Sequence, residues 1–252
     1  MIGAIIGDIA GSVYEFANVR TEDFPLLTKE STFTDDTICT IAIADAAMNG
    51  WNFKDALLDW CSQYPHPMGG YGASFAAWLN SRNPQPYYSF GNGAAMRVSA
   101  LGWLYDTPLE VAYAASESAS VTHDHPEGIK GAEMAALGVF FLRTYRNKGK
   151  FKTWMEAQYG KLPKYAPGSN PFEETCQNAV PVAAACFLAS TGFEDAIRKA
   201  VAVGGDSDTI AAICGGFAEA YYGVPDWLRD EAMKRLPETM KDVIKQFESR
   251  VR

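Results

Sequence analysis

The chain has 252 residues, with 22 Lys and Arg against 30 Asp and Glu, a formal net charge of −8 that argues against a broad basic surface for nucleic acid or anionic membrane. Hydrophobic residues make up 48% and charged residues 21%, the usage of a folded globular chain rather than a disordered one. That length can bury a sizeable core, and one domain over residues 1–252 is expected.

The N-terminal segment Gly7-Asp8-Ile9-Ala10-Gly11-Ser12-Val13-Tyr14-Glu15 carries two acids seven apart, about two helical turns, so on a helix both would project from one face. Gly3, Gly7 and Gly11 recur every four residues and make a small-residue face for a second helix. The uncharged start and early Asp8 do not suit a signal peptide. Next, Thr34-Asp35-Asp36-Thr37 stands at the entrance of an apolar segment, 37–48, which reads as a buried helix. Capping and the helix dipole account for two acids at such a place.

Further helices are predicted over 53–63, 72–80, 108–118, 126–146 and 173–190, their ends marked by Pro, Gly or Asn. Residues 83–97 and 160–171, rich in Pro, Gly, Ser and Asn, read as loops. Within the first, Tyr87 to Arg97 joins aromatic rings to a Gly91-Asn92-Gly93 turn leading into a possible helix start, where backbone N–H groups could meet phosphate and a ring could stack on a base. Arg97 suits an ion pair equally well. Two of the three histidines lie in Thr122-His123-Asp124-His125-Pro126; with no Cys or third His nearby, capping or ligand hydrogen bonding fits better than zinc.

Phe193, Ile197, Ala200 and Val201 form an apolar stripe, and Ile210, Ile213, Phe217 and Tyr221 another that ends at Gly223. Gly215 and Gly216 inside the latter point to close packing against a neighbour. Before it, Gly204-Gly205-Asp206-Ser207-Asp208-Thr209 holds two acids about 200° apart on a helix, which converge only in a cap or turn that the double glycine permits. Met240, Val243, Ile244 and Phe247 complete an amphipathic C-terminal helix after Pro237. The architecture expected is all-α. The five scattered cysteines read as buried thiols. The longest apolar stretch, 179–189, is far below the roughly 18 residues that cross a bilayer, and a cytoplasmic location is expected.

The three acidic clusters together offer hydroxyl and carboxylate oxygens with neither His nor Cys, the ligand set of a hard cation such as Mg²⁺ or Mn²⁺. Six acids meeting in one place would repel, and a two-cation centre would relieve that repulsion.

Phe33-Thr34-Asp35-Asp36-Thr37, Gly91-Asn92-Gly93-Ala94-Ala95-Met96-Arg97, Thr122-His123 and Gly204-Gly205-Asp206-Ser207-Asp208-Thr209-Ile210-Ala211 occur in the order found in ADP-ribosylglycohydrolases, and the chain resembles that family over nearly its whole length. The resemblance implies a compact orthogonal helical domain in which Thr34, Asp35, Asp36, Asp206, Asp208 and Thr209 hold two divalent cations, usually Mg²⁺. It implies that Glu15 sits on a flap, that Ser89, Phe90, Gly91, Asn92, Gly93 and Met96 hold the diphosphate and adenine with Phe90 as stacking platform, and that His123 contacts ADP-ribose. The implied reaction is hydrolysis of the bond between the distal ribose and an acceptor, with Asp36 or Glu15 assisting proton transfer; the role of Asp8 stays open. ADP-ribose conjugates, chiefly ADP-ribosylated protein, are the implied partners, and a monomer is expected. The flap Gly11-Ser12-Val13-Tyr14-Glu15 is more similar to the serine-directed branch than to the arginine-directed one. Two other readings are a non-catalytic ADP-ribose-binding module and a two-metal phosphohydrolase cutting the diphosphate.

Overall fold

The structure, a computed structural model, describes residues 1–251. Its helices are α1 (Ile2–Gly11), α2 (Asp35–Asn49), α3 (Phe53–Gln63), α4 (Ala73–Leu79), α5 (Gly93–Met96), α6 (Leu101–Leu104), α7 (Pro108–Ser120), α8 (Pro126–Tyr145), α9 (Lys148–Tyr159), α10 (Cys176–Ala189), α11 (Phe193–Ala202), α12 (Ser207–Tyr222), α13 (Asp226–Lys234) and α14 (Glu238–Val251). No strand occurs among the described residues; two isolated bridges, Thr34 with Met68 and Gly91 with Thr175, pin loops to one another. The all-α expectation holds, and no helix of the described residues is long and apolar enough to cross a membrane.

At the centre, every residue of α1 is buried, and the helix lies along α12. The glycine repeat makes this possible. A methyl group on Gly3 would come within 2.4 Å of Gly215 O, on Gly7 within 2.0 Å of Ala211 O, and on Gly11 within 2.4 Å of Asp208 Cα. These are backbone atoms that no side-chain movement can clear. The approach is mutual, since a methyl on Gly215 would meet Gly3 O at 2.1 Å, while Gly216 faces Ser99 and Val139 instead. Both predicted roles for these glycines, a packing face on α1 and close contact within α12, are realised in this one seam. At its N-terminal end, Glu219 of α12 accepts hydrogen bonds from the Met1 amino group and Gly3 N–H.

Several boundaries differ from the sequence reading. α1 stops at Gly11, with Ser12 as its C-cap, so Glu15 lies beyond the helix and the predicted two-turn spacing of Asp8 and Glu15 on one helical face does not apply. α2 begins at Asp35 rather than at residue 37, because the Thr34 side chain accepts from Asp36 N and places both acids in the first turn. The predicted 83–97 loop contains α5. Helices α6, α9 and α13 lie outside the predicted elements; α9 has short apolar spacing, with Phe151 and Met155 buried, and Asn147 caps it by accepting from Lys150 N. All five cysteines are buried free thiols, as expected.

Because the Gly7 position faces backbone, Gly7→Ala should lower stability by at least about 1–3 kcal/mol, the usual cost of overpacking. Gly192→Ala, where an added methyl meets nothing within 4 Å, should change it little. Urea unfolding of the two variants checks this contrast.

Candidate functional site

The first turns of α2 and α12 point into one cavity of about 430 Å³, a size suited to a small-molecule ligand. Asp8 explains how α2 is held there. It is fully buried near the end of α1, its Oδ1 accepts from Thr34 Oγ1 at 2.7 Å, and its Oδ2 accepts from Thr34 N at 3.0 Å, Thr37 N at 3.1 Å and the Thr37 hydroxyl. Both oxygens are thus occupied in satisfying otherwise orphaned donors at the α2 N-terminus. Through these bonds Asp8 holds the first turn of α2, which carries Asp35 and Asp36.

On α12, Gly204 and Gly205 adopt positive φ of 87° and 80°, and Asp206 becomes the N-cap residue with Asp208 in the first turn. This is the cap arrangement in which acids two apart can converge. One oxygen each from Glu15, Asp206 and Asp208 lies within 4.8 Å of the others. Asn18 brings Glu15 to them: its Nδ2 donates to Tyr14 O, Glu15 O and Gly205 O, while its Oδ1 accepts from Gly205 N at 2.9 Å. Thr209 Oγ1 donates to Asp36 Oδ2 at 3.2 Å, linking α12 to α2.

These carboxyls are crowded in a poorly solvated place. Burial, reinforced by neighbouring carboxylates, holds Asp35, Asp36 and Asp208 well above the ordinary aspartate range. Burial followed by Asp206, Glu174 and Asp8 pushes Glu15 up to about 7, and burial raises Asp8 to about 6 against the lowering effect of its hydrogen bonds. Asp36 Oδ1 and Asp208 Oδ1 are buried without any hydrogen-bond partner among the described residues. Unpaired carboxylate oxygens in such surroundings are costly, and a hard cation satisfies them with the donor chemistry it prefers. The cluster fits a metal ion.

Asp35, Asp36, Glu15, Asp206, Asp208, Thr209, Ser89, Gly91, Asn92, Gly93, Met96 and His123 all line the cavity. Thr34 does not; it is buried behind the cluster, donating to Asp8 and accepting from Asp36 N. Phe90 also lies outside the cavity lining, 44% exposed, with its ring edge-on to His125 at 5.1 Å. His125 itself caps α8, its Nδ1 accepting from Glu127 N. The Gly91–Gly93 turn is tied to the acids by Asn92 Nδ2, which donates to Asp206 Oδ2 at 2.6 Å, and to the 174–176 segment by Asn92 N donating to Glu174 O and Cys176 N donating to Phe90 O.

Sequence reasoning missed Asn18, Glu174 and the 69–72 loop, all at or beside this cavity. Gly69 and Gly70, with φ of 77° and 83°, were the available signal for that loop, since adjacent glycines allow left-handed turns. Glu15 Oε2 lies where a methyl on Gly69 would approach to 2.6 Å, so the Glu15 side chain packs against this glycine.

Without metal, the cluster should make stability fall with rising pH. Carboxyls whose folded pKa exceeds the unfolded value bind protons more tightly when folded, so their contribution is fully present below the unfolded pKa and is lost as pH rises through the folded one. For Asp8 that window runs from 3.8 to about 6, and for Glu15 from 4.5 to about 7. Chelator-treated protein should therefore melt at a lower temperature at pH 8 than at pH 5, and divalent cation added at pH 8 should raise the midpoint again. In the same melts Asp8→Asn should cost about 1–3 kcal/mol for each donor it leaves unsatisfied.

The ADP-ribosylglycohydrolase family model matches residues 1–252. The chain is 24% identical to mouse ADP-ribosylhydrolase ARH3, in an alignment covering 98% of this chain and 87% of the mouse protein. It is 25% identical to the human protein of that name, over 89% and 84% of the two chains. Its fold is similar to a solved structure described as an ADP-ribosylglycohydrolase-related protein complex, with a TM-score of 0.73, 19% identity and coverage of 100% and 97%.

Proposed function

The chain belongs to the ADP-ribosylglycohydrolase family and is a glycohydrolase, and we propose that it uses divalent cations to release ADP-ribose from a conjugate by cutting the bond between the distal ribose and its acceptor. The observation that carries this reading is the pair of unpartnered carboxylate oxygens, Asp36 Oδ1 and Asp208 Oδ1, buried at the floor of a cavity whose other wall is the Gly91–Gly93 turn and His123.

Asp35, Asp36, Asp206, Asp208 and Thr209 would hold two cations, Mg²⁺ or Mn²⁺, with Thr34 contributing the one lone pair that its two hydrogen bonds leave. Bound there, such ions supply Lewis-acid polarisation of ribose hydroxyls and water. Asn92, through its bond to Asp206, sets the distance between the acids and the turn. The Gly91 and Asn92 N–H groups are already bonded to Ser89 Oγ and Glu174 O, so Ser89 and the Gly93 N–H of the Gly91–Gly93 turn take the diphosphate, Met96 forms the wall beside Thr209, and His123 donates to a ligand oxygen. The exposed ring of Phe90, supported edge-on by His125, stacks the adenine at the rim.

Cleavage passes through an oxocarbenium-like state in which water adds to the anomeric carbon and the acceptor leaves with a proton. Asp36 and Glu15 are the carboxyls placed to handle that proton. Glu15 is the partly exposed one, able to exchange with solvent at the flap, and Asn18 and Gly69 fix where it stands.

Arginine-linked and serine-linked ADP-ribosyl peptides, assayed with Mg²⁺ and with chelator, test the proposal. Intact ADP-ribose should appear from one of them and chelator should abolish it; AMP as product, or turnover indifferent to chelator, would overturn it. Glu15→Gln should lower kcat by about 10²–10⁴-fold, the usual contribution of a positioned proton-transfer group. Phe90→Ala should weaken ADP-ribose binding by about 1–3 kcal/mol in calorimetry, the worth of one base stacked on an aromatic ring.

A further inference from the structure

Among the described residues Arg97 is the largest fully buried side chain and lines the cavity, yet it makes no ion pair there. Its Nη2 donates to Ser118 O at 2.5 Å and to Thr122 Oγ1 at 3.0 Å, and its Nε is buried without a partner. A guanidinium carries donors only and keeps its charge in proteins, so the direction of the Arg97–Thr122 bond admits no reversal. Thr122 is itself completely buried, and its Oγ1 has one other partner, His123 Nδ1, at 2.7 Å.

The polarity of that second bond follows. Were His123 to donate from Nδ1, the Thr122 hydroxyl hydrogen would be left without an acceptor in a buried site, a loss of about 1–3 kcal/mol. With the hydroxyl donating to Nδ1 instead, the Thr122 hydrogen and His123 Nδ1 are both satisfied, and Thr122 Oγ1 still accepts from Arg97. A neutral imidazole that accepts at Nδ1 carries its proton on Nε2. That nitrogen faces the glycine turn: a methyl on Gly93 would lie 3.2 Å from it and one on Gly91 3.4 Å from it. It makes no hydrogen bond within the described chain.

We infer that Arg97 and Thr122 are positioning residues that orient the His123 tautomer, so that an Nε2–H donor faces the ligand oxygen cradled at the Gly91–Gly93 turn. This rests on the reading of His123 as a contact to ADP-ribose. The absence of side chains at Gly91 and Gly93 is then part of the same device, since it leaves Nε2 uncovered. Burial, and after it the Arg97 charge, pushes the His123 pKa down to about 3, so the ring stays neutral and the tautomer persists at any pH where the enzyme would work.

Long-range ¹⁵N–¹H spectra of histidine-labelled wild-type protein without ligand, with the His123 signals assigned by their loss in His123→Gln, read the tautomer directly. The expected result is a bare Nδ1 and a protonated Nε2; the opposite pattern overturns the inference whatever any variant does. Thr122→Val should mix the tautomers and raise the dissociation constant for ADP-ribose by about tenfold, the worth of one hydrogen bond at the upper end of its usual range. Thr122→Ser should restore both, which a purely structural role for Thr122 would not explain. An unchanged tautomer and unchanged affinity in Thr122→Val would overturn the relay. Wild-type protein that holds the Nε2–H tautomer but binds no ADP-ribose would remove the substrate reading and leave the relay supported.

Discussion

The close approach of α1 and α12 is the constraint on which the rest of the structure depends. Backbone meets backbone at Gly3, Gly7 and Gly11, and the last of these contacts is with Asp208 itself. The seam therefore does more than pack the core. It places the start of α12 beside the end of α1, where Asp8 reaches across to hold α2 and where the chain turns to present Glu15. A wider separation would carry the acids of α12 away from those of α2.

Crowding these acids has an electrostatic cost that the fold meets in two ways. Asp8 is satisfied internally, by donors from Thr34 and Thr37. Asp36 and Asp208 each keep an oxygen that nothing among the described residues satisfies. That asymmetry sets Asp8 apart from the two carboxylates proposed to hold metal more clearly than burial, which all three share. Two bound divalent cations would also reverse the local sign of the field, allowing an acidic protein to accept an anionic diphosphate.

Opposite the acids, the Gly91–Gly93 turn and His123 form the cavity wall, and here too polarity is imposed from behind. Arg97 cannot accept, and Thr122 passes that restriction on to His123. Asn92 ties this wall to Asp206, so the two halves of the cavity are held at one spacing by direct bonds.

Much of this was legible in the sequence because it depends on local rules. Helix periodicity, caps and small-residue spacing act within a few residues, and they disclosed the all-α class, the glycine face of α1, the packing glycines of α12 and the cap geometry needed by Asp206 and Asp208. Family-type motifs in order brought about half of the cavity lining together. Tertiary structure decided what depends on residues far apart in the chain. The end of α1 at Gly11, which removes Glu15 from the helix, follows from how the next turn docks through Asn18 onto Gly205. The role of Asp8 is set by donors 26 and 29 residues away. Arg97, which the sequence offered equally as part of a phosphate-binding segment and as an ion-pair partner, gained its meaning from Ser118 and Thr122, brought beside it by the packing of α5 against α7 and α8. Hydrogen-bond direction is a property of partners, and partners are chosen by the fold.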